Sequence, residues 1–136
     1  IIYIYIHFFF IFIIMNKNII KTFNLLKNSY SKFRVACSII MKDNTFIKGV
    51  NVENKSYGLT ICAERNAMTS LISQGYNYKD IDYVIIVSDT ANNIIPCGAC
   101  LQFLNEFINN NTTIITVGNN KKIMKYKFNK LLPITF

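Results

Sequence analysis

Two short stretches carry residue types that do chemistry: Thr60-Ile61-Cys62-Ala63-Glu64-Arg65-Asn66-Ala67 and Pro96-Cys97-Gly98-Ala99-Cys100-Leu101-Gln102. Each opens a helical pattern, so each puts cysteine at a helix N-terminus. Unpaired backbone N–H groups and the helix dipole there lower a thiol pKa and favour thiolate. Three thiolates at two converging helix N-termini make a strong zinc site. With three protein ligands, the fourth tetrahedral position stays open to water, as in catalytic rather than structural zinc. A water activated there needs a proton shuttle that is not itself a ligand. Glu64, two residues after Cys62 on the same first turn, has the reach. Three thiolates also leave net negative charge on a divalent cation. Arg65, one of only two arginines, is the group that can offset it by donating to sulfur.

Other uses of these cysteines are open to argument. Cys97-x-x-Cys100 alone would suit a redox pair, but the thioredoxin arrangement has this motif after its first strand and a Trp before it. Here the motif comes late and the chain has no Trp. A closed structural zinc site needs a fourth ligand. Cys37 is a candidate, but it lies mid-strand in Val35-Ala36-Cys37-Ser38-Ile39 and reads better as a buried small hydrophobe. Four Cys in 136 residues are too few for a disulfide scaffold. The sole histidine, His7, excludes HExxH metalloproteases, two-His iron sites and Cys2His2 zinc fingers. A Ser-His-Asp triad would have to use it.

His7 lies in the apolar run of residues 1–14, IIYIYIHFFFIFII. That run is shorter than the roughly 20 residues that span a bilayer. It has neither the basic leader nor the small-residue cleavage site of a secretory signal. Composition changes abruptly at Met15-Asn16. Residues 1–14 are therefore expected to be upstream sequence read through in frame, with one domain over 15–136; the rival is a hydrophobic anchor or targeting segment. The 24 Ile and 18 Asn reflect a codon skew first. The net charge of +8 comes from scattered lysines, densest at Lys121, Lys122, Lys125, Lys127 and Lys130. Nucleic-acid grooves also use Arg forks, so a solvated lysine surface, with no nucleic-acid or membrane partner, is the expectation.

The elements that must position the cysteines follow from periodicity. Ile19, Ile20, Phe23 and Leu26 mark an amphipathic helix over 16–28. Strands are expected over 35–41 and 45–52, joined by Lys42-Asp43-Asn44 as an antiparallel hairpin. A helix follows from Thr60 to near Gly75, then a buried strand over 81–87, a helix opened by Pro96, and strands over 112–117 and 123–128. The turn Gly118-Asn119-Asn120 is too short for a parallel crossover, so the last two strands pair antiparallel. Helices between strands imply a sheet covered on both faces. The fold class is α/β, a three-layer α/β/α sandwich with a mixed five-stranded sheet.

Cys-Ala-Glu followed by Pro-Cys-x-x-Cys is the pattern of zinc-dependent nucleobase deaminases, with Cys in place of His. From about Ser29 to the C-terminus the chain resembles the cytidine deaminases of the short, tetrameric kind. The matching pieces are Tyr30-Ser31-Lys32-Phe33, Gly49-Val50-Asn51-Val52-Glu53-Asn54, Ser56-Tyr57-Gly58, Cys62-Ala63-Glu64-Arg65 and Pro96-Cys97-Gly98-Ala99-Cys100, with Leu131-Leu132-Pro133 and Phe136 at the end. The chain departs from the family at Ala36-Cys37 (often Gly-Ala), at Lys55 (often Ala) and at Leu101 (usually Arg). The last departure removes a second cation near the thiolates and puts more weight on Arg65.

The resemblance implies one Zn2+ per chain, on Cys62, Cys97 and Cys100, with Glu64 as the catalytic proton shuttle. It implies a nucleoside substrate, with Asn51 and Glu53 on the ribose hydroxyl, Phe33 packed on the pyrimidine, and backbone N–H groups near Ala63 and Glu64 on the base edge. A carboxylate and an amide suit a sugar diol and repel a phosphate. Tyr57 and Phe136 would approach the active site of a neighbouring subunit in a cytoplasmic homotetramer. The expected activity is conversion of cytidine and deoxycytidine to uridine and deoxyuridine in pyrimidine salvage. The rivals are a same-fold deaminase of another aminopyrimidine such as blasticidin S, a nucleic-acid-editing deaminase, and a non-catalytic zinc module.

Overall fold

The branched run Val35–Met41 forms β1, buried along its whole length. It pairs antiparallel with β2 (Phe46–Val50), Ile39 opposite Ile47, across a tight turn in which Asn44 adopts the left-handed region at φ 68°. On its other side β1 pairs antiparallel with β3 (Ile81–Ser88). β3 pairs parallel with β4 (Thr113–Val117), and β4 antiparallel with β5 (Ile123–Lys127). The sheet is mixed, in the order β2-β1-β3-β4-β5. This computed structural model describes residues 2–136.

Alternation along the strands divides the core into two. On one face Val35, Cys37, Ile39 and Met41 meet Ala63, Ala67, Met68 and Leu71 of α2 (Ala63–Ser73), and Leu101 and Leu104 of α3 (Gly98–Asn105). On the other face Ala36, Ile40, Ile85 and Val87 meet Met15 and Ile19 of α1 (Ile2–Phe23). The three layers and the antiparallel final pair are as the sequence leads one to expect. A short α4 (Phe128–Leu131) closes the chain after β5.

Four details differ. The first helix runs over Ile2–Phe23 rather than 16–28. No Gly or Pro interrupts it from the N-terminal side, so the apolar run continues the helix that packs on the sheet. At its other end the ladder loosens after Phe23, and Leu26 covers the core from a turn. Met15, Asn18, Ile19 and Thr22 are the buried residues of α1, and the side chains from Ile2 to Phe12 are exposed. By length and composition alone the helix is long and apolar enough to cross a membrane. β2 stops at Val50 because the Asn51 side chain takes over the pairing, accepting from Val35 N at 2.9 Å and donating to Phe33 O at 2.8 Å. Helices α2 and α3 begin at Ala63 and Gly98, later than Thr60 and Pro96, with Cys62 and Cys97 as their N-caps.

Candidate metal centre and substrate cavity

The two cysteine N-caps share one backbone geometry, φ −67° and ψ 154° at Cys62 and φ −69° and ψ 166° at Cys97. Ser, Thr, Asp or Asn at this position would turn its side chain back onto the helix N–H groups. Neither cysteine does so, and both sulfurs are left free of capping. Cys100 lies on the first turn of α3, so the convergence of the two helix ends gathers three thiols. The Sγ atoms of Cys62, Cys97 and Cys100 all lie within 4.8 Å of one another. Tetrahedral zinc–thiolate bonding asks for a sulfur–sulfur spacing of about 3.8 Å, which lies inside that bound.

The electrostatics of the cluster ask for a cation. Burial pushes the Cys100 thiol well up, and the neighbouring Glu64 and Cys62 push it further. Burial also raises Cys62, against donation from Arg65 and Cys100. Cys97 is likewise pushed up by burial, but N–H donation from Cys100 and Ala99 and the neighbouring thiols outweigh this and lower it. Three thiolates cannot all form this close together without a compensating positive charge. The donor set therefore fits zinc, with the soft thiolate ligands and open fourth position of a catalytic site.

Arg65 is half-way to that compensation. Its Nη2 donates to Thr60 O at 3.2 Å and lies 3.9 Å from Cys62 Sγ, and its Nε is buried without a protein partner. Glu64 is only 4% exposed. Burial raises its carboxyl above the usual range, against its own backbone N–H, the Cys100 thiol and Arg65. Such a carboxyl holds and releases a proton more readily near neutral pH than an exposed one does. Cys37 lies buried on β1 outside the sulfur cluster, its thiol raised by burial and then by Glu64.

A cavity of about 350 Å³ opens against this cluster. Its walls bring Phe33, Asn51, Glu53 and Ala63 together with Cys62, Glu64 and Cys97. Glu53 accepts from Ser31 through both carboxylate oxygens. Tyr57 and Phe136 are not part of the lining, and both are exposed. Ile94 and Ile95 complete the apolar wall. They precede Pro96, and no property of their types distinguished them from core residues in the sequence. Ser31 lies inside a matched motif, but a loop serine carries no signal of its own in the sequence.

Residues 16–117 match the zinc-binding region of cytidine and deoxycytidylate deaminases. The chain belongs to this family. A probable cytidine deaminase of Dictyostelium discoideum is 42% identical over 108 residues, covering 79% of this chain and 71% of the relative. The cytidine deaminase of Halalkalibacterium halodurans is 38% identical over 107 residues, covering 79% and 80%. Among solved structures, cytidine deaminase from Burkholderia pseudomallei superposes with a TM-score of 0.80 at 30% identity, covering 88% of this chain and 94% of that one. Membership makes the chain a hydrolytic, zinc-binding deaminase, and it agrees with the donor set formed by the three cysteines.

Proposed function

We propose that this protein converts cytidine and deoxycytidine, with water, to uridine and deoxyuridine and ammonia, a step of pyrimidine salvage. The observation that carries the proposal is one cavity with a three-thiol cluster and a buried carboxyl at one end and an amide–carboxylate pair at the other. Zinc on Cys62, Cys97 and Cys100 supplies Lewis-acid activation of a water at C4 of the base. Glu64 would take one proton from that water and deliver it to N3, then take the second from the hydroxyl now bonded to C4 and pass it to the amine, which leaves as ammonia. Arg65 donates toward the Cys62 sulfur and moderates the thiolate charge. Phe33 packs on the pyrimidine face. The backbone N–H groups at Ala63 and Glu64 hold the base edge.

The sugar end favours an uncharged nucleoside. Asn51 has spent one donor and one lone pair on the backbone and keeps one of each for a hydroxyl. Ser31 donation holds the Glu53 carboxyl below its usual range, and no Lys or Arg lines the cavity. A 5′-phosphate would meet negative charge without a cationic partner, so deoxycytidylate is a poor substrate.

The catalytic domain is residues 15–136, and residues 1–14 serve none of its chemistry. The enzyme works in the cytoplasm as a homotetramer in which Tyr57 and Phe136 complete a neighbour's site. Support for this is that both aromatics are exposed in the single chain, Tyr57 at 76% and Phe136 fully.

The testing experiment is a substrate panel of cytidine, deoxycytidine, their monophosphates, cytosine and blasticidin S, read as ammonia released. The two nucleosides should be turned over and the monophosphates should not. Release from blasticidin S alone would move the assignment to another aminopyrimidine.

A further inference from the structure

We propose that Ser31 is a positioning residue for nucleoside binding, joining the sugar-binding carboxylate of Glu53 to the aromatic wall at Phe33 through one hydroxyl. The inference rests on the function proposed above. Ser31 N donates to Glu53 Oε2 at 2.9 Å, and Ser31 Oγ donates to Glu53 Oε1. The same Oγ accepts from Phe33 N at 3.1 Å. Between them Lys32 turns the backbone at φ 60°, in the left-handed region that a non-glycine residue seldom adopts. Such local strain persists where surrounding bonds hold it. Here those bonds run from Asn51, which fixes Phe33 O and Val35 N on the far side.

The consequence for binding follows from the inventory of lone pairs. An ionised carboxylate offers about four acceptor sites. Ser31 occupies one on each oxygen, which fixes the carboxylate plane and leaves the remaining sites for a sugar hydroxyl. Removing the hydroxyl alone leaves the Ser31 N–H in place and admits water to Glu53, so the charge survives. What is lost is the orientation of the carboxylate and the tie to Phe33. That is a binding loss, chiefly at the sugar and in part at the Phe33 wall, away from the groups that move protons at C4, so it raises KM and spares kcat.

The test measures kcat and KM of the zinc-loaded enzyme and of Ser31→Ala and Ser31→Thr with cytidine. The KM or inhibition constant for 2′,3′-dideoxycytidine, which lacks the 2′ and 3′ hydroxyls, is measured on the same samples. Ser31→Ala should raise the cytidine KM about tenfold, the scale of one hydrogen bond to a charged group. It should change kcat by no more than about twofold and raise the dideoxycytidine constant by clearly less than the cytidine KM, since that ligand shares only the Phe33 contact. Ser31→Thr, which keeps the hydroxyl, should recover most of the cytidine KM. An equal loss for both ligands, as misfolding would give, overturns the proposal. So does a fall in kcat at unchanged KM, or no change at all. Wild-type enzyme inert toward cytidine would instead overturn the function on which the proposal rests.

Discussion

Gly49 on β2 lies directly against Ala67 on α2: a Cβ at Gly49 would stand 2.4 Å from Ala67 N and 2.5 Å from Ala63 O. Both are backbone atoms that cannot swing aside, so the absence of a side chain sets how closely α2 approaches the sheet. That helix carries Cys62 at its cap and Glu64 on its first turn. Gly49→Ala must push α2 outward and carry both residues with it. Overpacking of this kind costs about 1–3 kcal/mol, and a displacement near 1 Å at reacting groups can cost on the order of 10²-fold in rate. Denaturant unfolding and the cytidine assay of Gly49→Ala should show both losses. Wild-type stability and activity together would mean that the close approach does not set the site.

The cavity edge has its own tie. Arg34 N donates to Asp89 Oδ1 at 3.1 Å and Arg34 Nε to Asp89 Oδ2 at 2.5 Å, joining the residue after Phe33 to the end of β3. Burial raises the Asp89 carboxyl, but the Arg34 bonds and charge outweigh it and hold it below the usual range. A depressed folded-state pKa adds stability that is complete above the unfolded value of about 3.9 and is lost as pH falls through the folded value. The gap in unfolding midpoint between wild type and Asp89→Asn should therefore be full at about pH 6 and close below about pH 4. Zinc loss in acid affects both chains alike and leaves the difference readable. A gap that persists in strong acid would remove the ion pair as its cause.

Much of this was legible in the residues. Cysteine at two helix starts was legible, because N-cap placement is a local property of the chain; the meeting of those two starts is set by packing across the sheet. The β1–β2 hairpin and its Asp43–Asn44 turn were legible for the same reason. The extent of α1 was not, since the change in composition at Met15 marks no change in backbone preference. The role of Asn51 was seen only in part. The family resemblance suggested a sugar ligand, but its bonds to Phe33 and Val35, which end β2, depend on a strand sixteen residues away in sequence. Ser31 was invisible for a like reason: its partner Glu53 is brought to it by the hairpin.

Packing of α1 on the sheet begins at Met15, and Asn18 and Thr22 add hydrogen bonds to Tyr83 and Ser38. A chain beginning at Met15 keeps every one of these contacts. It should be soluble and as active as the full chain, judged by gel filtration and by the cytidine assay. A shortened chain that aggregates or loses activity would show that the exposed helical turns belong to the working protein.

Phe136 ends the chain fully exposed, and Tyr57 stands out on a short 3₁₀ turn. If both complete a neighbour's cavity, deleting Phe136 should lower kcat/KM for cytidine while leaving one zinc per chain. Sedimentation of wild type should show a tetramer. A fully active monomer at assay concentration would refute the shared site and leave the zinc chemistry standing.

The central claim is that Glu64 moves the proton in a zinc-dependent deamination of cytidine. Its most direct measurement is ammonia release from cytidine by wild type and by Glu64→Gln, matched for zinc content. Glutamine keeps the size of the buried side chain but cannot carry the proton. Wild type should release ammonia and uridine in equal amounts, and the variant should be slower by at least about 10²-fold with its zinc retained. Comparable rates from both chains, or no ammonia from wild type carrying one zinc, would contradict the account.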